Sequence, residues 1–225
     1  MLAAIAFCPA PPLLVPALAA GAAGELDGLR AACADAVFRL RAARPERLAV
    51  LGPGPATAAY GPGSSGTLAG YGVPVAAALG EPAGPPTLPP ALTLGAWLLG
   101  GEPAEGLAVG PDADPAAVAA DLSGPGRLGL LVMGDGSARR SEQAPGYVDP
   151  RAAGFDAAVA TALAGGDAAA LRDLDPVLGA ELLAAGVPVW RVAGHAAAGL
   201  DLTAELLHDE APYGVGYLVA AWTVR

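Results

Sequence analysis

The residues best equipped for chemistry stand together in Gly134-Asp-Gly-Ser-Ala-Arg-Arg140, directly after the apolar run Leu128 to Met133. Asp135 offers a carboxylate, Ser137 a hydroxyl, and Arg139 and Arg140 two guanidiniums. Gly134 and Gly136 leave room for a ligand to approach the backbone. This set suits a small anion, with backbone N–H groups and an arginine facing a carboxylate or phosphate. Asp135 or Glu210 could equally neutralise the arginines as an internal ion pair. The loop has no histidine or cysteine, so it supplies no nucleophile and base pair. It lacks the Gly-Lys-Ser/Thr ending of a P-loop, and Gly52-Pro-Gly54 is too short for a dinucleotide fingerprint.

The chain has two histidines. His195 lies in an Ala-rich apolar stretch and reads as structural. His208 and Glu210 are two apart, so a continuous strand would point both to one face. With Asp135 they are the best candidates for a metal site, yet the two alone fall short of the three protein ligands usual in catalytic sites. Cys8 and Cys33 read as buried free thiols in a reducing cytoplasm.

Such residues need a frame. Leu2 to Phe7, Leu48 to Leu51, Leu107 to Val109 and Leu128 to Met133 read as buried strands. Leu202 to Leu207 and Val215 to Val224 read as two more, around "HDEAPYG". Val73 to Leu79 reads as an edge strand because of Pro74. Helices are expected over Ala22 to Ala43 and Ala91 to Leu99, and after the caps Asp114-Pro115, Asp149-Pro150, Asp167 and Asp175-Pro176. Gly61 to Gly70 reads as a loop, and the proline-rich residues 80–90 as a surface connector. Alternating strands and helices predict an α/β fold, a largely buried sheet with helices on both faces. Ligands in such folds sit at strand ends. That singles out Cys8–Leu14, Leu51–Thr57, Gly134–Arg140 and His208–Tyr217, the last carrying Glu210 and Tyr213.

Composition bounds the partners. The 225 residues are 54% hydrophobic and 15% charged, enough for one sizeable core, and one domain over residues 1–225 is expected. The net charge of −10, with every cation an arginine, argues against nucleic acid and against an anionic membrane surface. No apolar run is long enough to span a membrane. The apolar N-terminus has no positive charge before Arg30 and is broken by Pro9, Pro11, Pro12 and Pro16, so a buried strand is expected there rather than a secretory signal. A cytoplasmic protein is the expectation. A homo-oligomer or a protein partner stays open.

In this order the four strand-end segments resemble the class III extradiol ring-cleavage dioxygenases of the LigB type. The strongest pieces are "GDGSARRSEQAPGYVDPRAAGFDAAV" (Gly134–Val159) and "EAPYGVGYLVA" (Glu210–Ala220). The resemblance implies that family's α/β fold and a site for Fe(II) on two histidines and one glutamate, with a further histidine as acid–base. Residue by residue, the first metal histidine of a Cys-Pro-His-Pro-Pro turn falls on Ala10, and the second, in a Ser-Pro-His turn, on Gly54. The acid–base histidine of a Gly-Asp-x-Ser-His-Arg loop falls on Ala138. Glu210 matches the glutamate, and Asp135, Ser137 and Arg139 match the loop. The implied protein has the family fold but lacks the histidines for Fe(II). No cofactor and no ring cleavage are then expected, and a small anionic, phenolic or other aromatic ligand is. Ala10, Gly54 and Glu210 are expected to converge on one pocket with Ala138 across from them. The rival expectation is an active oxidoreductase or hydrolase using a displaced metal site on His208, Glu210 and Asp135.

Overall fold

The computed structural model describes residues 1–225, apart from the side chains of Ala20 and Ala22. Its strands are β1 (Leu2–Cys8), β2 (Arg47–Pro53), β3 (Ala58–Tyr60), β4 (Ser65–Thr67), β5 (Ala76–Ala78), β6 (Glu105–Val109), β7 (Leu128–Met133), β8 (Leu202–Glu210) and β9 (Tyr217–Val224). Its helices are α1 (Pro16–Ala19), α2 (Asp27–Ala42), α3 (Pro90–Leu99), α4 (Pro115–Asp121), α5 (Ala152–Gly165), α6 (Ala168–Arg172), α7 (Pro176–Glu181) and α8 (Val187–Ala196). Seven strands form one sheet in the order β3-β6-β2-β7-β1-β9-β8, and β4 pairs with β5 in a separate ribbon.

The central strands β6, β2, β7 and β1 run parallel, and β3, β9 and β8 join at the two sides through antiparallel pairings. Strand side chains alternate between two apolar layers. Ile5, Phe7, Leu130, Val132, Ala220 and Trp222 face a layer that includes α5 and α8. Ala4, Ala6, Cys8, Leu131, Met133 and Val219 face the layer of α2 and α3. Burial on both faces is why these strands read as continuous apolar runs rather than alternating ones. The protein is therefore mixed α/β, with helices covering both faces of a large mixed sheet. Among the described residues, no helix is long and apolar enough to cross a membrane.

Local chemistry sets the element ends. The side chains of Asp114, Asp167 and Asp175 cap α4, α6 and α7 by accepting from backbone N–H groups of the first turn. Three expectations shift. Regular helix begins at Asp27 rather than Ala22. Asp149 does not cap α5, whose N-cap is Arg151; its carboxylate instead accepts from the Arg151 backbone N–H at 2.9 Å. The Gly61–Gly70 loop contains β4, paired with β5. Residues 81–87 of the proline-rich connector are exposed. The whole of α8 escapes a reading by caps because it starts at Gly186, with no side-chain cap and Pro188 in its first turn. Cys8 and Cys33 are both buried and free.

The core also satisfies a helix end. Trp222, fully buried on β9, stacks edge-on against Phe7 at 4.9 Å and donates its indole N–H to Leu163 O at 2.7 Å. Leu163 lies in the last turn of α5, where carbonyls lose their helical partners. Trp222→Phe keeps most of the packing but orphans that carbonyl. Chemical denaturation is expected to show a loss of about 1–3 kcal/mol, with the m-value unchanged.

Candidate functional site

The parallel strands end together at Cys8, Pro53, Val109 and Met133, and β8 ends at Glu210 on the same side. All four strand-end segments thus share one end of the sheet. The sheet order nevertheless separates them. Gly54 follows β2 and Glu210 ends β8, four strand places apart, which is about 19 Å at the usual inter-strand spacing. Both are anchored there, Gly54 by donating to Val109 O at 3.0 Å and Glu210 by its pairing with Tyr217. Ala10 follows β1, which lies between β2 and β8, and the cavity at this end is lined by Gly54 and not by Ala10 or Glu210.

The Gly134–Arg140 loop is held by other loops rather than open to a ligand. A Cβ on Gly134 would lie 2.5 Å from Gly186 Cα, and one on Gly136 would lie 2.8 Å from Asp156 Oδ1. These glycines admit other parts of the protein, not a bound molecule. Gly136 N donates to Gly216 O, Gly216 N to Ser137 O, Arg140 N to Gly214 O, and Gly186 N to Asp135 O. Ala138 donates to Leu182 O at 3.1 Å and accepts from Gly146 N at 2.9 Å.

The side chains follow the same rule. Ser137 is fully buried; its hydroxyl donates to Leu182 O at 2.8 Å and accepts from Arg139 N at 3.1 Å. Arg140 pairs with neither Asp135 nor Glu210. Its guanidinium lies 2.8 Å from Asp156 Oδ2, on α5, and Asp156 Oδ1 accepts from Ser137 N at 2.8 Å. Burial raises the Asp156 pKa above the usual carboxylate value, against the lowering pull of Ser137 N–H and Arg140. The Arg139 Nε is buried without a hydrogen-bond partner among the described residues. The expected anion site on Arg139 and Arg140 is therefore occupied by the protein's own carboxylate at Arg140.

Asp135 is half-buried and accepts from Ala10 N at 2.7 Å, tying the turns after β1 and β7 together. Burial raises its pKa to about 6, although the Ala10 N–H favours the ionised form. Tyr217 faces it, and burial together with the Asp135 charge raises the Tyr217 pKa. Tyr213, packed against the same apolar layer as Tyr217, donates its hydroxyl to Glu25 Oε2 at 2.8 Å. His208 Nε2 lies 3.8 Å from Glu210 Oε2, so the two do share a face, but Glu210 is exposed. Among the described residues, no three His, Cys, Asp or Glu side chains are placed to hold a metal ion. The alternative set of His208, Glu210 and Asp135 is not formed.

What opens at this end is a cavity of about 460 Å³ beside Gly54. Pro53, Val109, Pro176, Leu183, Pro188 and Arg191 contribute to its lining, and Arg191 is the one charged lining residue. The ends of β2 and β6 form one wall, and α7 and the start of α8 the other. Sequence reading missed Leu183 and Arg191 because it did not resolve α8. The available signal was Pro188 followed by Trp190, Ala193 and Gly194 at helical spacing.

No protein-family model and no curated protein matches the chain. Among solved structures it is similar to the uncharacterized protein JW3007 from Escherichia coli K12, at 13% identity and a TM-score of 0.49, covering 98% of this chain and 99% of that one.

Two outcomes follow from this geometry. Arg140→Gln leaves the buried Asp156 charge with Ser137 N–H alone. A loss of about 3 kcal/mol is expected at neutral pH, shrinking as acid protonates Asp156; equal losses at pH 4 and pH 8 would exclude the buried-charge account. Asp135 binds its proton more tightly folded than unfolded. Its contribution is therefore fully favourable below about pH 4 and declines as pH rises through about 6. Asp135→Asn should remove about 3 kcal/mol of this decline from the stability–pH curve, leaving the same-signed slope of Asp156.

Proposed function

We propose that this chain is a class III extradiol dioxygenase-like protein that does not cleave aromatic rings and instead binds a small anionic or phenolic ligand at its strand ends. The motifs that carry the resemblance run in the family's order and occupy loops at the carboxyl end of one sheet, where α/β proteins place ligands.

The observation that carries the reading is at Gly54. The family would place a metal-binding histidine there. In this protein a Cβ at that position would lie 2.8 Å from the Ala108 Cβ, so the backbone has closed on a glycine. Immediately beside it lies the 460 Å³ cavity, a size suited to a small organic molecule. Ala10 and Ala138 supply no ligand or acid–base group, and Glu210 lies across the sheet. The residues present do not fit Fe(II), and no step of this reading runs through a metal. Binding is what the remaining geometry supports: an apolar chamber with one cationic group on its wall.

Protein purified without a histidine tag is expected to contain iron far below one atom per chain. Added Fe(II) should give no oxygen uptake and no yellow ring-opened product with protocatechuate or catechol. Phenols or aromatic carboxylates should raise the thermal midpoint. Near-equimolar iron together with ring cleavage would overturn the reading.

A further inference from the structure

Arg191 and Leu183 give the cavity beside Gly54 a chemical character. Arg191 contributes to the lining, and its Nε donates to Arg172 O at 3.2 Å. Among the described residues Arg191 has no ion-pair partner, while eight of the other eleven arginines do. In a chain of net charge −10, an unpaired arginine on an otherwise apolar wall is a locally cationic point. A guanidinium fork matches a carboxylate with two parallel hydrogen bonds. The rest of the lining, with Pro53, Val109, Pro176 and Pro188, offers hydrocarbon contact and no second cation.

Leu183 adds an independent observation. It follows α7 at the position where helices favour glycine, with φ of 53°. Its N–H donates to Ala180 O, and the next N–H, of Ala184, donates to Gly179 O, closing the helix end. Glycine would make the same turn without the penalty a side chain meets there. The side chain is 46% exposed and borders the cavity, and its Cδ1 also packs over Gly146, 2.6 Å from where a Cβ there would lie. Of the positive-φ non-glycine residues Arg44, Tyr147 and Leu183, Leu183 is the one that lines the cavity, where its strain would be offset by a ligand contact.

We infer that this cavity takes a small hydrophobic monocarboxylate, with the carboxylate on Arg191 and the hydrocarbon body covered by Leu183. The inference rests on the binding reading above and names its ligand class. One anionic group matches one guanidinium. An inorganic phosphate would find no further cation and would leave the apolar walls unfilled.

The test is calorimetric titration of the whole protein with phenylacetate, its neutral counterpart 2-phenylethanol, and inorganic phosphate. Phenylacetate should bind about tenfold more tightly than 2-phenylethanol, and phosphate should not bind measurably. Arg191→Gln should reduce phenylacetate to the level of the alcohol and leave the alcohol unchanged. Leu183→Gly should raise the ligand-free thermal midpoint yet weaken both aromatic ligands, a combination that a merely structural leucine would not produce. Phosphate binding as tight as phenylacetate, a preference for the acid that survives Arg191→Gln, unchanged binding in Leu183→Gly, or no binding of any probe would each overturn the inference. If Arg191→Gln fails to fold, the acid-to-alcohol ratio in the wild type and in Arg191→Lys decides. Phenol or catechol binding without carboxylate preference would defeat the inference and leave the binding reading standing. Iron-dependent ring opening would defeat the binding reading itself, whatever the carboxylate preference.

Discussion

The Asp156 carboxylate is the interaction on which the arrangement of the strand ends depends. It projects from α5, is almost completely buried, and meets Ser137 N and the Arg140 guanidinium, each at 2.8 Å. A carboxylate so placed is tolerable only with its oxygens satisfied, and two conditions make that possible. The loop after β7 must fold back to present an N–H and an arginine. The neighbouring chain must also lack side chains, because a Cβ on Gly136 or Gly216 would fall within 3 Å of the carboxylate oxygens. One charge thus joins α5, the β7 loop and the β8–β9 hairpin.

This joint explains why a loop rich in polar residues offers so little to a ligand. Ser137 has all its hydrogen bonds inside the fold, and Arg140 is committed to Asp156. Gly134 is small because Gly186, at the start of α8, packs backbone against backbone upon it. That contact and the bond from Gly186 N to Asp135 O set α8 beside the strand ends. The placement of α8 in turn leaves the apolar cavity between α7, α8 and the ends of β2 and β6. Rigidity at one side of the sheet end and open space at the other are consequences of the same docking.

The small residues at the turns after β1 and β2 are equally a matter of packing. At Gly54 the space a Cβ would need is closed by Ala108. At Ala10 the backbone N–H is engaged by Asp135.

Much of the frame was legible in the sequence because its signals are local. Strand β7 matches the apolar run Leu128–Met133 residue for residue, and the Asp caps of α4, α6 and α7 stand where Asp-Pro or a lone Asp marks a helix start. Burial of the sheet on both faces followed from continuous apolar strands. The absence of histidine at residues 10, 54 and 138 was likewise plain from residue types alone. What the sequence could not determine is which strands lie side by side. Sheet order comes from long-range pairing, and it separates Gly54 from Glu210 by four strand places although both lie at the same end. Nor could residue types show that Arg140 would choose Asp156, sixteen residues on and read only as part of a helix, over Asp135 or Glu210. Partner choice among buried charges depends on which carboxylate the tertiary fold desolvates beside the guanidinium, and only packing decides that.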